Sequence, residues 1–479
     1  MLRVIGNDQN LPRQENAVAS GTLTNGKPVI VNADGTVSVV SETSISQNLG
    51  TAVVYTSNTS EWNSVVYDAT ANRIVVVYKD TQNSDYGTYV VGTVSGAAIS
   101  FGTPTVFNSA STSYLTQTYD PDDGKIVVAF EDGGNSSYGT AMVGTVSGSS
   151  ISFGGKSVFS NNTTRHISST YDTSANKHIF TFVFNSFWSA CTATVSSGSI
   201  SFGSVLELHQ SSNQYRYTSC AYDEAADKTV AVGVDLGNST RAQARVITVS
   251  GTSLSKGNAT QISTPESSST ACVYDASIQK VIISLNQSDD GDSYVGTISG
   301  TTISFGSANQ FTPNSCGRVK MVYDPDAQKV VIFFQDNSSE PAIRVATADN
   351  TGSISFSSKI ELDDRNMDQG GIAYDTNSNQ TCAAWGNSQD TQGEALMFRN
   401  AYLEKNITSE NFIGIARSGA ADGAGAIIDT QGAISDNLSG LTAGQSYYVQ
   451  TDGTLGTTAD DPSVFAGTAL SATKLIVKG

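Results

Sequence analysis

The 479-residue sequence has only 9 Pro, 5 Cys, 3 His and 3 Trp, and only 15% of its residues are charged. Each shortage removes a class of protein. No run approaches the roughly 20 consecutive apolar residues that cross a bilayer as a helix. Met1–Asp8 lacks the apolar stretch of a secretory signal, so export by the general route is not expected. Five cysteines, an odd number without CxxC spacing, fit neither a disulfide framework nor a zinc cluster and read as small core residues. Cations are short too. With 26 Lys+Arg against 44 Asp+Glu, the formal charge of -18 repels phosphate backbones and anionic headgroups, so neither nucleic acid nor membrane insertion is expected. The three histidines offer no HExxH and no paired-ligand spacing, and there is no GxSxG, so no catalytic residue, metal or cofactor is expected.

What is abundant is repetition. Tyr-Asp recurs at Tyr67-Asp68, Tyr119-Asp120, Tyr171-Asp172, Tyr222-Asp223, Tyr274-Asp275, Tyr323-Asp324 and Tyr374-Asp375, with spacings of 52, 52, 51, 52, 49 and 51 residues. Around the second anchor four segments stand out: Ser113 to Tyr119, Lys125 to Phe130, Tyr138 to Val146, and Ile151 to Phe159. Their apolar residues alternate or form short β-branched groups such as Ile126-Val127-Val128, and helical spacing is absent. Asp120-Pro121-Asp122-Asp123-Gly124, Asp132-Gly133-Gly134-Asn135-Ser136 and Ser147-Gly148-Ser149-Ser150 join them with hairpin chemistry. Four short antiparallel strands per repeat, seven times over, predict an all-β chain with a seven-bladed β-propeller.

The seventh copy lacks its fourth strand. Gln380 to Trp385 and Glu394 to Ala401 follow Tyr374, but no Ser-Ile-Ser-Phe-Gly comes after them. Ahead of the first anchor, Ser44-Ile45-Ser46 and Thr51 to Thr56 align with Ser150-Ile151-Ser152 and the strand after it. The N-terminal segment is therefore expected to close the last blade by strand exchange, which removes an open sheet edge. The chain then divides into a β-rich attachment segment (1–40), the propeller (41–403) and a β-rich C-terminal domain (404–479). Asn25 to Val37 and Ala443 to Leu455 look like two versions of one hairpin, and the flanks are expected to build a joint small β-domain.

Candidate chemistry is thin. Glu61, Glu266, Asp363, Asp364 and Asp368 fall near fourth-to-first-strand loops, where a glycosidase would need two placed carboxylates; solvated loop residues are the plainer reading. Asp120 to Gly124 resembles a calcium loop, but only two copies, with Asp122 and Asp326, carry an acidic residue two positions after the anchor Asp, and Asx-turn chemistry explains the pattern better. Asn-Ser recurs in the second-to-third-strand loop of six repeats: Asn83, Asn135, Asn185, Asn238, Asn337 and Asn387, each followed by Ser. Those loops and the fourth-to-first-strand loops share one face of a propeller. They read either as a ring of amides and hydroxyls suited to sugar or simply as good turns. Trp62, Phe187, Trp188, Tyr215 and Tyr217 depart from the repeat consensus near the same face. They are candidate ligand contacts, with Asn83, Asn135 and Asn238, or alternatively blade packing.

The run Tyr138 to Gly154, Tyr-Gly-Thr-Ala-Met-Val-Gly-Thr-Val-Ser-Gly-Ser-Ser-Ile-Ser-Phe-Gly, resembles repeats in virion appendage proteins of tailed bacteriophages, especially those of marine cyanobacteria. Asn411 to Ala416, Gly440 to Val449 and Ala472 to Gly479 resemble the shared end of phage tail-fibre and virion structural proteins. The resemblance spans most of the chain. It implies a non-enzymatic virion protein, assembled in the host cytoplasm, whose propeller presents a recognition face to a host-surface glycan or protein. Other virion proteins and copies of itself are the implied partners, a trimer being usual for fibres, although no heptads enforce one. A capsid fibre or decoration protein, a glycan-degrading propeller and a tail-tube component are the alternatives. No catalytic residue is carried across.

Overall fold

The computed structural model describes residues 14–209, 215–262, 267–288 and 290–478. They form two compact units, Ser46–Asn400 and a second made of Met1–Ile45 with Ala401–Gly479. Both are all-β. Among the described residues the one helical element is a short turn, Gly133–Asn135, and no helix is long and apolar enough to cross a membrane.

In Ser46–Asn400 each repeat is an antiparallel meander. The fourth repeat shows the order: Tyr215–Asp223, Lys228–Asp235, Arg241–Ser250 and Ser253–Lys256, after which Thr260–Gln261 returns to the third strand. The outer position is thus split, where the sequence suggested one strand from Ile151 to Phe159. Ser150–Phe153 pairs one end of Tyr138–Ser147; after Gly154-Gly155-Lys156 the next strand, Ser157–Asp172, pairs the other. Most repeats make the step with a glycine (Gly102, Gly154, Gly203, Gly257 and Gly306), the sixth with Ser357. A Cβ on Gly203 would stand 1.9 Å from the Thr252 carbonyl oxygen of the next repeat's hairpin, and one on Gly257 would stand 1.7 Å from that of Thr301. Only a bare backbone fits there. Thr105–Asp120 and Ser157–Asp172 run on from the outer edge of one sheet to the inner strand of the next, so the first three sheets share one hydrogen-bonded ladder.

The seventh sheet takes its outer strands from the front of the unit. Asn48–Leu49 pairs Arg399 and Phe398, and Val53–Thr56 pairs Gly393 to Ala395. Gly50 then plays the step glycine, with its Cβ position 2.5 Å from the Ala97 carbonyl oxygen. The alignment made from sequence was two residues out, because Leu49, not Ser46 with two residues to follow, precedes the glycine. Ser44 and Ile45 belong instead to Glu42–Ile45, which pairs Tyr402–Lys405 in the other unit, so the units divide at 45/46 and 400/401 rather than at 41 and 403.

The apolar cores lie between consecutive sheets. Val75, Val77, Tyr89 and Val91 of the first repeat pack with Ile126, Val128 and Phe130 of the second. Ala373, Cys382, Ala384 and Met397 of the seventh pack with Val65, Tyr67, Ile74 and Val76 of the first. The Tyr-Asp anchors hold the opposite ends of the inner strands. Every anchor Asp accepts hydrogen bonds from amides of its own turn, as Asp172 does from Ser174 and Ala175. Several anchor tyrosines reach the preceding repeat at the residue two past its Asp: Tyr119 meets Thr70 at 2.8 Å, Tyr171 donates to Asp122 at 2.8 Å, and Tyr374 donates to Asp326. The two acidic residues that looked like part of a calcium loop are these phenol acceptors. Burial pushes Asp120 up, but His178 of the third repeat, 3.1 Å away, and the turn amides outweigh it and hold the carboxyl below its usual range.

The second unit joins both flanks. One sheet interleaves Gln14–Val18, Pro28–Val31 and Val37–Val39 with Phe412–Ala416 and Gly425–Asp429; the other is built from Ile434–Ser435, Ser446–Val449, Leu455–Gly456, Val464–Ser471 and Lys474–Val477. Ile30, Val40, Ile415, Val449, Leu475 and Val477 share one core. The two hairpins that look alike in sequence turn alike: Asp34 accepts the Thr36 amide and hydroxyl, and Asp452 accepts those of Thr454.

Tyr55 tests the closing strand. It is 3% exposed, lies over Gly393, and its hydroxyl meets Ser60 and Asn63 at 2.8 Å. Tyr55→Ala should destabilise Ser46–Asn400 by about 3–5 kcal/mol and Tyr55→Phe by about 1 kcal/mol in denaturant titrations. An unchanged midpoint for the alanine variant would show that Val53–Thr56 does not complete the seventh sheet.

Candidate functional site

Every inner strand enters the unit from the face of the second-to-third-strand loops, and close to its start each carries a register shift, for example between Glu61 and Ser64 or between Arg216 and Ser219. A β-bulge re-aims the side chain it carries. Here the residue five before each anchor Tyr is presented to one shared cavity: Trp62, Tyr114, His166, Tyr217, Ser269, Arg318 and Gln369, one from each repeat. The cavity has a volume of about 120 Å³. In five of the seven repeats this residue has a left-handed backbone: Trp62 (φ 54), Tyr114 (52), His166 (50), Tyr217 (52) and Arg318 (54). Such a conformation costs a bulky residue on the order of 1 kcal/mol or more and persists only where the surroundings impose it, commonly at a ligand clamp.

The lining is two-sided. Trp62 and Tyr114 lie 4.1 Å apart by ring centroid, Tyr114 and His166 4.8 Å, and His166 and Tyr217 5.4 Å, an unbroken arc of rings across four consecutive repeats. The remaining side is polar, with Ser269, Arg318, Lys320 and Gln369. Burial, then the Arg216 and Arg165 guanidiniums, pushes His166 down to about 4, so at neutral pH the ring is uncharged and joins the aromatic surface. At the mouth, Lys79 pairs Glu61 at 3.0 Å and Asp85 at 3.3 Å, and Arg318 meets Asp368 at 3.4 Å. Arg165 and Arg216 are exposed and line an adjoining recess with Asn185 and Ser186.

Of the residues singled out from sequence, Trp62 and Tyr217 are in the cavity. Trp188 and Tyr215 are not ligand contacts: they are 0% and 1% exposed and stack on each other at 5.3 Å. Their departure from the repeat is compensatory packing. Where other repeats put a glycine under an aromatic ring (Gly139 under Phe159, Gly291 under Phe311), the third repeat puts Trp188 against the smaller Leu208. Asn83, Asn135 and Asn238 do not line the cavity either. They sit in turns organised by the Asp ending the second strand, as Asp80 takes the amides of Gln82 and Asn83 and Asp235 takes that of Gly237. The residues that follow, Ser84 and Asp85, Ser136 and Ser137, Ser239 and Thr240, are left-handed pairs that close those turns. The Asn-Ser regularity is turn chemistry.

The described carboxylates do not converge on the cavity. Glu61 and Asp368 are paired as above, and Glu266 lies outside the described residues. Burial and the neighbouring Glu394 hold Asp363 up at about 6; Arg365 reaches toward Asp363, Asp364, Asp390 and Glu394. Tyr114, His166, Arg318 and Lys320 were missed in the sequence. Their signal is positional: at five residues before the Tyr anchor, and for Lys320 at three, the repeats disagree with one another while their frame stays constant.

No protein-family model matches the chain, and no curated protein matches it. Among solved structures it is similar to the BP39L lectin from Burkholderia pseudomallei, with a TM-score of 0.55 and 12% identity over 72% of this chain and 98% of that one. It is also similar, at a TM-score of 0.42 and 11% identity over 69% of this chain and 94% of the other, to an arginine-to-alanine mutant of AofleA from Arthrobotrys oligospora. At 12% identity the likeness to the first is one of fold.

A proton NMR titration should find the His166 ring neutral down to about pH 4. Replacing Arg165 and Arg216 with Gln removes two cations that disfavour its protonated form and should raise its midpoint toward 6.5. A midpoint near 6.5 in the unaltered protein would show that the ring is not enclosed as described.

Proposed function

We propose that Ser46–Asn400 is a seven-bladed β-propeller, closed through Val53–Thr56, and that it is a non-enzymatic recognition module whose shared cavity binds a glycan of a host surface. In this reading the chain is an appendage protein of a tailed-phage virion, tail-fibre-like, and the flanking β unit joins it to other virion proteins or to sister copies, a trimer being the expected assembly. The observation that carries the binding function is the arc Trp62, Tyr114, His166 and Tyr217 facing Ser269, Arg318 and Gln369 in one cavity. A pyranose has an apolar C–H face and a rim of hydroxyls. Flat rings take the first, and mixed donors and acceptors take the second. The lectin named for the similar fold supports the sugar class. The resemblance of Tyr138 to Gly154 and of the C-terminal motifs to phage appendage repeats supports the virion setting.

A hydrolase would need two carboxylates across a bound sugar; the described acidic residues beside the cavity, Glu61 and Asp368, do not line it and are paired with Lys79 and Arg318, and Asp363 with Glu394 is engaged by Arg365. On a glycan array the full-length chain should bind a restricted set of sugars, and Tyr114→Ala should weaken that binding about tenfold or more, equivalent to about 1.4 kcal/mol. The same variant should block host adsorption less well when added as a soluble competitor. If Tyr114→Ala and Trp62→Ala leave both readouts unchanged, the cavity is not the recognition site. Immunogold labelling of particles with serum against this chain should decorate virions; unlabelled particles would overturn the virion setting.

A further inference from the structure

Arg318 and Lys320 stand two residues apart on one inner strand, Gly317–Asp324, with the register shift between Gly317 and Lys320, and both line the shared cavity. Six repeats place a small residue three before the anchor Tyr: Ser64, Thr116, Ser168, Ser219, Ala271 and Gly371. The sixth alone places a long cation there. The Lys320 side chain therefore occupies a space that its counterparts leave open and is itself exposed to that space. Among the described residues it has no carboxylate within ion-pair distance, in a chain where 44 acidic residues outnumber 26 basic ones. Arg318 meets Asp368 at 3.4 Å, and Glu61, beside Asp368 on the neighbouring inner strand, is already paired to Lys79 at 3.0 Å. Two cations held together this way, one of them unpaired, lower their mutual repulsion by taking an anion between them.

The aromatic arc lies on the first four repeats and the cation pair on the sixth, so the two surfaces face one cavity from different sides. The geometry points to an acidic sugar as the ligand: a pyranose whose ring lies on the Trp62 to Tyr217 arc while its anionic substituent, a carboxylate of the uronic or ulosonic acid type, lies between Arg318 and Lys320. This rests on the glycan-binding reading above and narrows it. A sulfate or phosphate ester on the sugar offers the same anionic chemistry.

The test compares, with the full-length chain in titration calorimetry, an oligosaccharide ending in a uronic or ulosonic acid, its carboxyl-reduced neutral parent, and a sulfated version of that parent. Lys320→Met is the informative variant because among the described residues Lys320 makes no ion pair; its thermal unfolding should match that of the unaltered chain. The acidic sugar should bind at least tenfold more tightly than the neutral one, the preference should shrink severalfold or more in Lys320→Met, and it should weaken as sodium chloride is raised. A preference for the sulfated over the carboxylated sugar would keep the anion site and assign an ester to it. Equal binding of neutral and acidic sugars, untouched by Lys320→Met but lost in Tyr114→Ala, would overturn the acidic-sugar inference and leave glycan recognition standing. Binding of none of the three, with Tyr114→Ala equally without effect on host adsorption, would overturn both.

Discussion

No sheet of Ser46–Asn400 covers its own faces. The apolar side chains of each one are buried by the sheets before and after it, and the seventh, packed on one face by the sixth, has its other face buried only because the first returns to meet it. An isolated four-stranded meander with two apolar faces has nowhere to put them, so the stability of each repeat is borrowed from its neighbours. The step glycines and the anchor tyrosines follow from that dependence. Gly203 and Gly257 let one sheet's outer edge lie against the next hairpin, and Tyr119, Tyr171 and Tyr374 tie the inner ends of successive sheets at the face opposite the cavity.

With the inner strands fixed at the Tyr-Asp end, their other ends are free to carry distortion. That is where every bulge and most of the left-handed bulky residues of the inner strands are found. A strained backbone at Trp62 or Tyr114 is sustained by packing several residues away, and its effect is to aim a large ring into space that an extended strand would have turned it from. The fold thus separates two jobs along nine or so residues of one strand: apolar and hydrogen-bonded contacts at the Tyr-Asp end set the geometry, and the bulged end presents seven side chains that need not resemble one another.

Much of this was legible in the sequence because repetition multiplies weak signals. The Tyr-Asp spacing located every inner strand, the turn residues located the hairpins, and the missing Ser-Ile-Ser-Phe-Gly pointed to strands supplied from the N-terminal side. The register of that supply was not legible, because Ser44-Ile45-Ser46 is a better local match than Gln47-Asn48-Leu49 while only the latter places Gly50 at the step against Ala97. Local similarity lost to a tertiary requirement. The bulges were hidden for the same reason: nothing in Glu61-Trp62-Asn63-Ser64 breaks an alternating pattern strongly enough to announce an extra residue.

The same argument explains why departures from the repeat were an incomplete guide to the site. Trp188 and Trp62 both break the consensus, yet one is a core residue and the other lines the cavity. What separates them is whether a second departure compensates. Trp188 arrives with Leu208 in place of a phenylalanine and with Gly233 against its ring, so the volume between the third and fourth sheets is conserved and the change is a private matter of packing. At the position of Trp62 the seven repeats carry Trp, Tyr, His, Tyr, Ser, Arg and Gln, residues of unequal volume and opposite polarity with no matching change around them. Side chains that vary without compensation are not filling a shared core. They border space, and the arrangement of four rings on one side and two cations on the other gives that space a direction that the frame of near-identical repeats does not have.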